Sequence, residues 1–184
     1  MFFPGLPDYE VAKQIARLIN VYNGLSLKRR SVDIIESRIN YVVETHGKFV
    51  IGAVGIERVS FTFSEIKHLV VRPEWRRKGI GGFVVKRALQ LVENPLAYCT
   101  IRADNKASIK LFESLGFVRA DQYGTKDHDV VLLTRRSPRW EKQCSKATWK
   151  SGSFRDGTRR SGMSPSLASV PSSWAARMPI SLEE

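Results

Sequence analysis

One segment, residues 65–92, constrains the fold most, because it joins three kinds of local structure in a fixed order. It starts with the β-rich apolar run EIKHLVVR, which predicts a buried strand over 65–72. Pro73 has no N–H for a sheet and ends that strand. A loop with three cations and closely spaced glycines follows, and apolar residues then recur at helical spacing until Asn94 and Pro95. The chain is therefore organised around a strand, a basic glycine loop and a helix.

This loop has the properties of an anion-binding site. Glycine has no Cβ, so backbone N–H groups can approach a ligand closely. The first N–H groups of a helix have no partner within the helix and carry partial positive charge, which favours phosphate. Two nucleotide-binding motifs do not fit the loop. A P-loop requires Gly-Lys-Ser/Thr after its glycines, and the dinucleotide fingerprint requires a small residue where this chain has Val84.

Two blocks of sequence resemble the signatures of one family. The motif RxxGxG from Arg76, with the lead-in VxPE from Val71, is similar to the acyl-CoA pyrophosphate loop of the GNAT superfamily of N-acetyltransferases. The block NKASIKLFESLGF over residues 105–117 resembles the second signature of that superfamily. The resemblance covers roughly residues 8–135. It implies an N-acetyltransferase that moves an acetyl group from acetyl-CoA, its cosubstrate, to a primary amine by direct attack in a ternary complex.

The resemblance also implies the fold class, which is α/β (α+β) with a mixed, strongly twisted central sheet flanked by helices. Apolar periodicity and turn signals outline the elements. They predict helices over 8–22, 31–38 and 105–115, a hairpin turning at 46–48, a strand over 97–102, and a closing antiparallel pair over 117–123 and 129–134. Gly52 and Gly55 predict a bulge or a close approach by another group within the second strand of the hairpin.

A change of composition predicts the domain organisation. We place the N-acetyltransferase domain at residues 1–136 and a basic Ser/Gly/Arg-rich tail, predicted to be largely disordered, at 137–184. The chain has a net charge of +12 and a pI of about 10.0, which favours polyanionic partners such as nucleic acid, acidic lipid or the phosphates of CoA.

The tail interleaves aromatic residues with cations, as proteins that bind RNA or single-stranded nucleic acid do. A solvated tail with a few aromatics folded onto the core is the simpler interpretation. The alternative function is a nucleic-acid-associated binding protein with a GNAT scaffold, which acetylates an amine linked to nucleic acid or one on a DNA- or RNA-bound protein.

Other bulk features favour a cytoplasmic protein. Cys99 and Cys144 form neither a disulfide framework nor a metal cluster, which is typical of a reducing compartment. The N-terminal segment lacks the regions of a signal peptide, and no apolar run has the length of a membrane span. We therefore expect neither a metal ion nor a membrane partner, and the oligomeric state stays open.

The resemblance assigns the cofactor contacts. The loop amides hold the pyrophosphate, and the preceding strand, which splays from its neighbour in the family, binds the pantetheine arm and polarises the thioester. Asn105 caps its helix, with Asp104 as the alternative cap, and contacts the CoA arm. The cofactor-binding residues are expected to be Leu69, Val70, Val71, Arg76, Arg77, Lys78, Gly79, Ile80, Gly81, Gly82, Asn105 and Phe112.

Catalysis needs a group that takes the amine proton. Glu65 is the first candidate, because some GNAT enzymes place a catalytic glutamate at this strand position; a solvated carboxylate at the edge is the alternative. His68 is the second candidate, since the ordinary pKa of histidine suits the task, although a histidine with a local hydrogen bond is the simpler interpretation. On an extended strand these two side chains would face opposite sides of the sheet.

The proton donor to the departing thiolate is harder to assign. Many family members have tyrosine where this chain has Phe112, which cannot donate a proton. Ser108 and Tyr123 are the alternative donors, or the thiolate leaves unassisted. The basic segment 28–30 either borders the acceptor site, meets phosphates or is a solvated linker, of which the linker is the simplest interpretation.

Overall fold

The computed structural model describes residues 8–24, 27–140 and 142. The elements are α1 (Asp8–Tyr22), α2 (Ser31–Ile35), β1 (Ile39–His46), β2 (Phe49–Arg58), β3 (Phe63–Val71), a 3₁₀ turn (Pro73–Trp75), α3 (Ile80–Leu91), β4 (Leu96–Arg102), α4 (Lys106–Ser114), β5 (Val118–Gly124) and β6 (Asp129–Arg136). The predicted elements are confirmed, although α2 is shorter than predicted. The chain divides into Met1–Trp149 and Lys150–Glu184, and every described residue belongs to the first unit.

The strands form one mixed sheet in the order β1-β2-β3-β4-β6-β5. All neighbouring strands are antiparallel except β3 and β4. These two run parallel and pair only at Phe63–Leu96, Ser64–Ala97 and Glu65–Tyr98. Beyond Glu65 the two strands have no further paired residues, so the sheet opens between them. This opening confirms the splay that was expected from the resemblance.

A polar clamp closes the sheet at the narrow end of this opening. The hydroxyl of Ser64 donates to Asn94 Oδ1 over 2.6 Å, and Asn94 Nδ2 donates to the carbonyl oxygen of Ser60 over 2.7 Å. Asn94 is only 4% exposed. It therefore does more than end a helix, because it ties the chain after α3 to the start of β3.

Apolar clusters cover both faces of the sheet. Adjacent residues of a strand point to opposite faces, and accordingly Val42 packs in the cluster with α3 and α4, whereas Val43 packs in the cluster with α1 and α2. The same division separates Val54 from Ala53 on β2. The sheet is thus the middle layer between two pairs of helices.

A side-chain amide fixes α1 on the sheet. Gln14 Oε1 accepts from the N–H of Val50 over 2.9 Å, and Gln14 Nε2 donates to the carbonyl oxygen of Lys48 over 2.9 Å. These backbone groups lie close to the shift in the β1–β2 register between Glu44 and Thr45. The amide thus bonds both to a backbone donor and to a backbone acceptor at a place where the strand ladder is irregular.

The glycines of β2 allow close packing on both faces. A Cβ on Gly52 would lie 2.7 Å from Ile80 Cγ2, and a Cβ on Gly55 would lie 2.5 Å from Ile39 Cγ2. In the pairing with β1, β2 also has one extra residue between Gly52 and Val50, which pair with the adjacent Glu44 and Thr45. The predicted bulge is therefore confirmed beside Gly52, and the predicted close approach is confirmed at both glycines.

The packed core continues a little past the predicted domain boundary at 136. Ser137 is fully buried, and its N–H donates to the carbonyl oxygen of Pro95 over 2.9 Å. Beyond residue 142 the predicted tail lies outside the described residues, so its disorder stays a prediction.

Within the part of the chain that the structure describes, no helix is long and apolar enough to cross a membrane. The same residues contain no group of three His, Cys, Asp or Glu side chains that could hold a metal ion.

We predict that Gly52→Ala lowers the free energy of unfolding by about 1–3 kcal/mol, because the new methyl group would displace the start of α3. Urea denaturation measures this change. Gly82→Ala is the matched control, since its Cβ would lie at an ordinary 3.6 Å from Leu111 Cδ1 and alanine favours a helix. Equal stability of Gly52→Ala and the wild-type protein would contradict the packing argument.

Candidate active site

The loop between β3 and α3 has the backbone geometry of an anion cradle. Arg77 and Gly79 have left-handed φ values of 59° and 81°. Gly79 is the N-cap of α3 and has no side-chain capping bond, and the N–H of Phe83 makes the first intrahelical bond, to Gly79 O over 2.9 Å. The preceding amides, those of residues 80–82, therefore point out of the helix end with no intrahelical acceptor. Such amides suit a pyrophosphate.

Gly81 also serves the packing beneath the cradle. A Cβ at this position would lie 3.2 Å from Leu111 Cδ2 and 3.7 Å from Val71 Cγ2. The helix start is thus pressed against α4 and the end of β3. The sequence motif explains this glycine by the phosphate alone, and the structure adds a packing reason.

Aromatic rings hold the cationic side chains of the loop. Arg76 Nε donates to the carbonyl oxygen of Val71 over 3.1 Å, and its guanidinium lies 4.9 Å from the ring centroid of Tyr22. Lys78 Nζ lies 4.9 Å from the ring centroid of Trp75. Charge-assisted contacts of these side chains with a phosphate stay a prediction.

The C-terminal half of β3 offers one free edge. Val70 pairs with Ala53 and Val71 with Gly52, all on the β2 side. The other edge faces the opening, where β4 has no residue paired with β3 beyond Glu65. Those backbone groups of residues 66–71 that face this side can thus meet a ligand in the opening, which is the role expected of the pantetheine-binding strand, although the carbonyl oxygen of Val71 already accepts from Arg76 Nε.

A bulge at His68 interrupts β3. Its φ is +56°, in the left-handed region that is uncommon for a residue other than glycine, and the pairing with β2 is irregular here. Ile66 and Leu69 both pack in the cluster with α3. In a regular strand, one residue separates neighbouring positions on the same face, whereas here two residues separate them. Lys67 and His68 consequently lie on the other face of the sheet together.

The expectation that Glu65 and His68 face opposite sides is therefore wrong, because the bulge adds one residue to the alternation. His68 Nδ1 lies 2.7 Å from the hydroxyl oxygen of Tyr41, and the two rings stack 6.1 Å apart. Burial raises the pKa of Tyr41, against a smaller lowering by the charge of Arg29. Arg29 of the basic segment thus lies near the Tyr41–His68 pair.

Glu65 belongs to a partly buried network of charges and is not a solvated carboxylate. It is 8% exposed, and its Oε2 lies 3.0 Å from Lys67 Nζ, which in turn lies 2.8 Å from Glu57 Oε2. Glu57 is directly opposite Glu65 in the β2–β3 register. Lys67 therefore compensates two carboxylates that would otherwise repel each other.

Both Lys67 and Tyr98 respond to these carboxylates. Burial lowers the pKa of Lys67, but hydrogen bonds and charge interactions with Glu57 and Glu65 outweigh burial, so the pKa lies above its ordinary value. Burial raises the pKa of Tyr98, and the charges of Glu65 and Glu57 and a hydrogen bond to Glu65 raise it further. The Tyr98 phenol is thus neutral and bonds to the Glu65 carboxylate.

Tyr123, a candidate proton donor, and Phe112, which stands where many family members have tyrosine, lie in different environments. Tyr123 on β5 is 37% exposed, and its pKa is raised by burial and then by the charges of Glu65 and Asp121. Phe112 is 3% exposed in the core, with its ring edge-on to Phe117 at 5.0 Å. Tyr123, unlike Phe112, carries a hydroxyl group, and the charge of Glu65 contributes to its raised pKa.

The second signature block forms the start of α4. Asn105 Oδ1 accepts from the N–H of Ser108 over 3.1 Å, which confirms the predicted helix cap. Ser108 is partly buried in the first turn of the helix. Contacts of Asn105 with the CoA arm, and a catalytic role of Ser108, stay predictions.

Four residues of this site were not predicted from the sequence, namely Tyr41, Glu57, Lys67 and Tyr98. The strand registers of β1–β2 and β2–β3 would have placed three of them in the site. Tyr41 pairs with Gly55, Gly55 pairs with Lys67, and Glu57 pairs with Glu65, so two linked hairpins place these side chains side by side. Tyr98 carries no such signal, because its pairing with Glu65 crosses from one parallel strand to the next.

Comparison with known proteins agrees with this geometry. The chain matches the model of the Acetyltransferase (GNAT) family over residues 12–117. It is 31% identical over 105 residues to N-alpha-acetyltransferase RimI of Mycobacterium tuberculosis, across 53% of this chain and 66% of that protein. It is 28% identical over 107 residues to the ribosomal protein bS18-alanine N-acetyltransferase of Escherichia coli K12, across 53% and 71%. The matches thus span about two thirds of these curated relatives.

A solved structure shares the fold. The structure of yncA from Salmonella typhimurium with its cofactor acetyl-CoA superposes with a TM-score of 0.59 at 20% identity, across 70% of this chain and 88% of that one. Because the family model covers more than half of the sequence, the chain belongs to the GNAT family of acetyltransferases. This family uses acetyl-CoA as cosubstrate, and the protein is accordingly an acetyl-CoA-dependent N-acetyltransferase.

We predict that Gly81→Glu abolishes binding of acetyl-CoA, because a carboxylate would enter the phosphate cradle. Gly81→Ala is the matched variant, since it adds the same Cβ contact with Leu111 but no charge. Calorimetry with acetyl-CoA should show a moderate loss of affinity for Gly81→Ala and no measurable binding for Gly81→Glu. Unchanged affinity for acetyl-CoA in a folded Gly81→Glu protein would show that the cradle does not bind the cosubstrate.

Lys67→Met tests the charge network. Because the pKa of Lys67 is raised in the folded state, its contribution to stability is complete below its unfolded value of 10.5 and is lost only as the pH rises through the folded value. At neutral pH the variant should therefore lose on the order of 3 kcal/mol of unfolding free energy, since two facing carboxylates remain.

The loss of unfolding free energy in Lys67→Met should be smaller at pH 5 than at pH 8, because acid allows either Glu57 or Glu65 to bind a proton. Adding Glu57→Gln should recover part of the stability. A Lys67→Met variant whose unfolding free energy is independent of pH over this range would show that the two carboxylates do not interact.

Proposed function

We propose that the protein acetylates the α-amino group of a polypeptide. One observation carries the reaction: the sheet opens at Glu65, on the same strand whose other end leads into the anion cradle. About six residues of extended strand, roughly 20 Å, lie between the two, which suits an extended pantetheine arm. The choice of acceptor rests on the relatives, since both curated proteins are named as N-terminal or alanine N-acetyltransferases.

The cradle and the free edge of β3 hold the cosubstrate in this proposal. Amides at residues 80–82 bind the pyrophosphate, and backbone groups of Leu69, Val70 and Val71 bind the pantetheine arm. The amine nitrogen forms a bond to the thioester carbon, and the carbon–sulfur bond then breaks. The amine proton passes to a protein base, and the sulfur leaves as thiolate or accepts a proton.

Glu65 is the proposed base. Lys67 stabilises its carboxylate form, and Tyr98 donates a hydrogen bond to it. With Glu57, the network holds two carboxylates and one ammonium, so its net negative charge favours the approach of a cationic amine. The amine then loses its proton where β3 and β4 separate.

His68 is the alternative base. Its hydrogen bond with Tyr41 fixes the orientation of the imidazole, and Tyr41 stays a neutral phenol because burial raises its pKa. If Nδ1 carries the proton of that bond, Nε2 is the basic nitrogen. The acid is proposed to be Tyr123, whose raised pKa keeps it protonated at neutral pH, with Ser108 as the second candidate. The predicted cytoplasmic location stays a prediction.

We predict that Glu65→Gln lowers kcat/KM by about 10²-fold or more, with little change in acetyl-CoA affinity, because the amide cannot accept the proton. Glu57→Gln is the matched control, since it alters the same network beside Lys67 and should cost less than about tenfold. Steady-state kinetics with a peptide acceptor measures both.

Normal turnover of Glu65→Gln together with inactivity of His68→Gln would transfer the role of base to His68. Equal losses in Glu65→Gln and Glu57→Gln would show that the charge network matters and that Glu65 has no separate role. Turnover of acetyl-CoA with small amines but not with peptides would refute the polypeptide acceptor and leave the acetyl transfer itself intact.

A further inference from the structure

A surface of aromatic rings and cations lies at the end of the sheet where β3 meets its loop. It is formed by the C-terminal end of α1, the β1–β2 turn and the segment after β3. We call it the basic-aromatic patch, and its members are Tyr22, His46, Lys48, Phe49, Arg72, Trp75, Arg76 and Lys78.

Ring contacts join these residues into three groups, which the chain segments 46–49 and 72–78 connect. The contacts are Lys48 and Arg72 over Phe49 at 5.8 and 5.6 Å, Arg76 over Tyr22 at 4.9 Å, Lys78 over Trp75 at 4.9 Å, and His46 tilted against Trp75 at 4.9 Å. Cations that already lie on rings are held in place, so less side-chain freedom is lost when a ligand binds.

The patch is open to solvent and strongly positive. Phe49 is 50% exposed and Tyr22 is 42% exposed. Its two loop segments, residues 46–49 and 72–78, contain five cations and one carboxylate, that of Glu74. Large exposed rings cost free energy in water, and so many of them beside cations indicate a ligand with both flat rings and negative charge.

The part of the patch around Phe49 lies on the opposite side of β3 from the opening that suits the cosubstrate, whereas Arg76 and Lys78 belong to the loop that is expected to bind its pyrophosphate. Phe49 starts β2 and pairs with His46, and β2 borders β3 on one side. The opening toward β4 borders β3 on the other side, and the cradle residue Gly81 faces Leu111 of α4. A ligand on the patch therefore does not need to occupy the opening.

We propose that the basic-aromatic patch binds single-stranded nucleic acid. Phosphodiesters match the cations, and unpaired bases match the half-exposed rings, on which they can stack. An acidic peptide would need only the cations, and a duplex would keep its bases away from the rings. This proposal is independent of the tail, because it rests only on contacts within the described residues.

The test is a fluorescence anisotropy titration of the full chain with labelled twelve-nucleotide oligo-U and oligo-dT, at several salt concentrations. The patch variant Lys48→Gln, Phe49→Ala should bind roughly tenfold more weakly, and its dependence on salt should decrease because one phosphate contact is lost. Tyr22→Ala alone should weaken binding at unchanged charge, with folding of each variant checked by thermal melting.

The chain provides a matched control. Arg58 lies 5.5 Å from the ring centroid of Phe61, which is 88% exposed beyond the other end of β2. The variant Arg58→Gln, Phe61→Ala therefore removes one positive charge and one aromatic ring elsewhere, and it should bind within about twofold of the wild-type protein. Comparison of the two oligonucleotides shows whether the ribose hydroxyl contributes.

Selective weakening of the patch variant and Tyr22→Ala supports the proposal. Equal affinity of the patch variant and the Arg58→Gln, Phe61→Ala control overturns it, because binding would then come from general charge or from the tail. Displacement of the oligonucleotide by acetyl-CoA also overturns it, since the patch would then belong to the cosubstrate site. Preference for an acidic peptide of equal charge assigns the surface to a protein partner and overturns it as well.

Discussion

The short parallel contact between β3 and β4 is the constraint on which the rest of this structure depends. Three paired residues on each strand hold two halves of the sheet together, and beyond them the facing backbone edges are released. Such edges are costly when buried without partners, so an opened sheet needs both a ligand for them and other means of holding the halves. The apolar cluster around α3 and the buried Ser64–Asn94 bond supply the second requirement.

The charge network lies at the point where the strands part. Facing carboxylates on neighbouring strands are unfavourable in most sheets, and here Lys67 lies within 3.0 Å of both. The bulge that follows places His68 on the same face, against Tyr41. Glu65 and His68, the two residues proposed as bases, thus lie on the same face of one strand, although only one is needed to accept the amine proton.

Sequence predicted the elements and the cradle well, because they depend on local chemistry. The turn at Gly47, the cap at Asn105 and the left-handed Gly116 all follow from short-range preferences. The bulge at His68 does not, because a histidine in the left-handed region is held there by its neighbours in the fold. The error about the two faces of β3 follows from this one residue. The burial of Phe112 likewise depends on α4 packing against Phe117, which no spacing shows.

The amide of Gln14 has a consequence for how α1 is oriented. Apolar contacts alone would let a helix roll or slide over a sheet at little cost, since one aliphatic surface resembles another. A planar group that accepts from one peptide and donates to a nearby one behaves like an extra residue of the strand, and it tolerates little displacement. The roll of α1 about its own axis is thereby locked. The bonds of Gln14 to the sheet thus also fix the direction in which Tyr22 points from the last turn of α1.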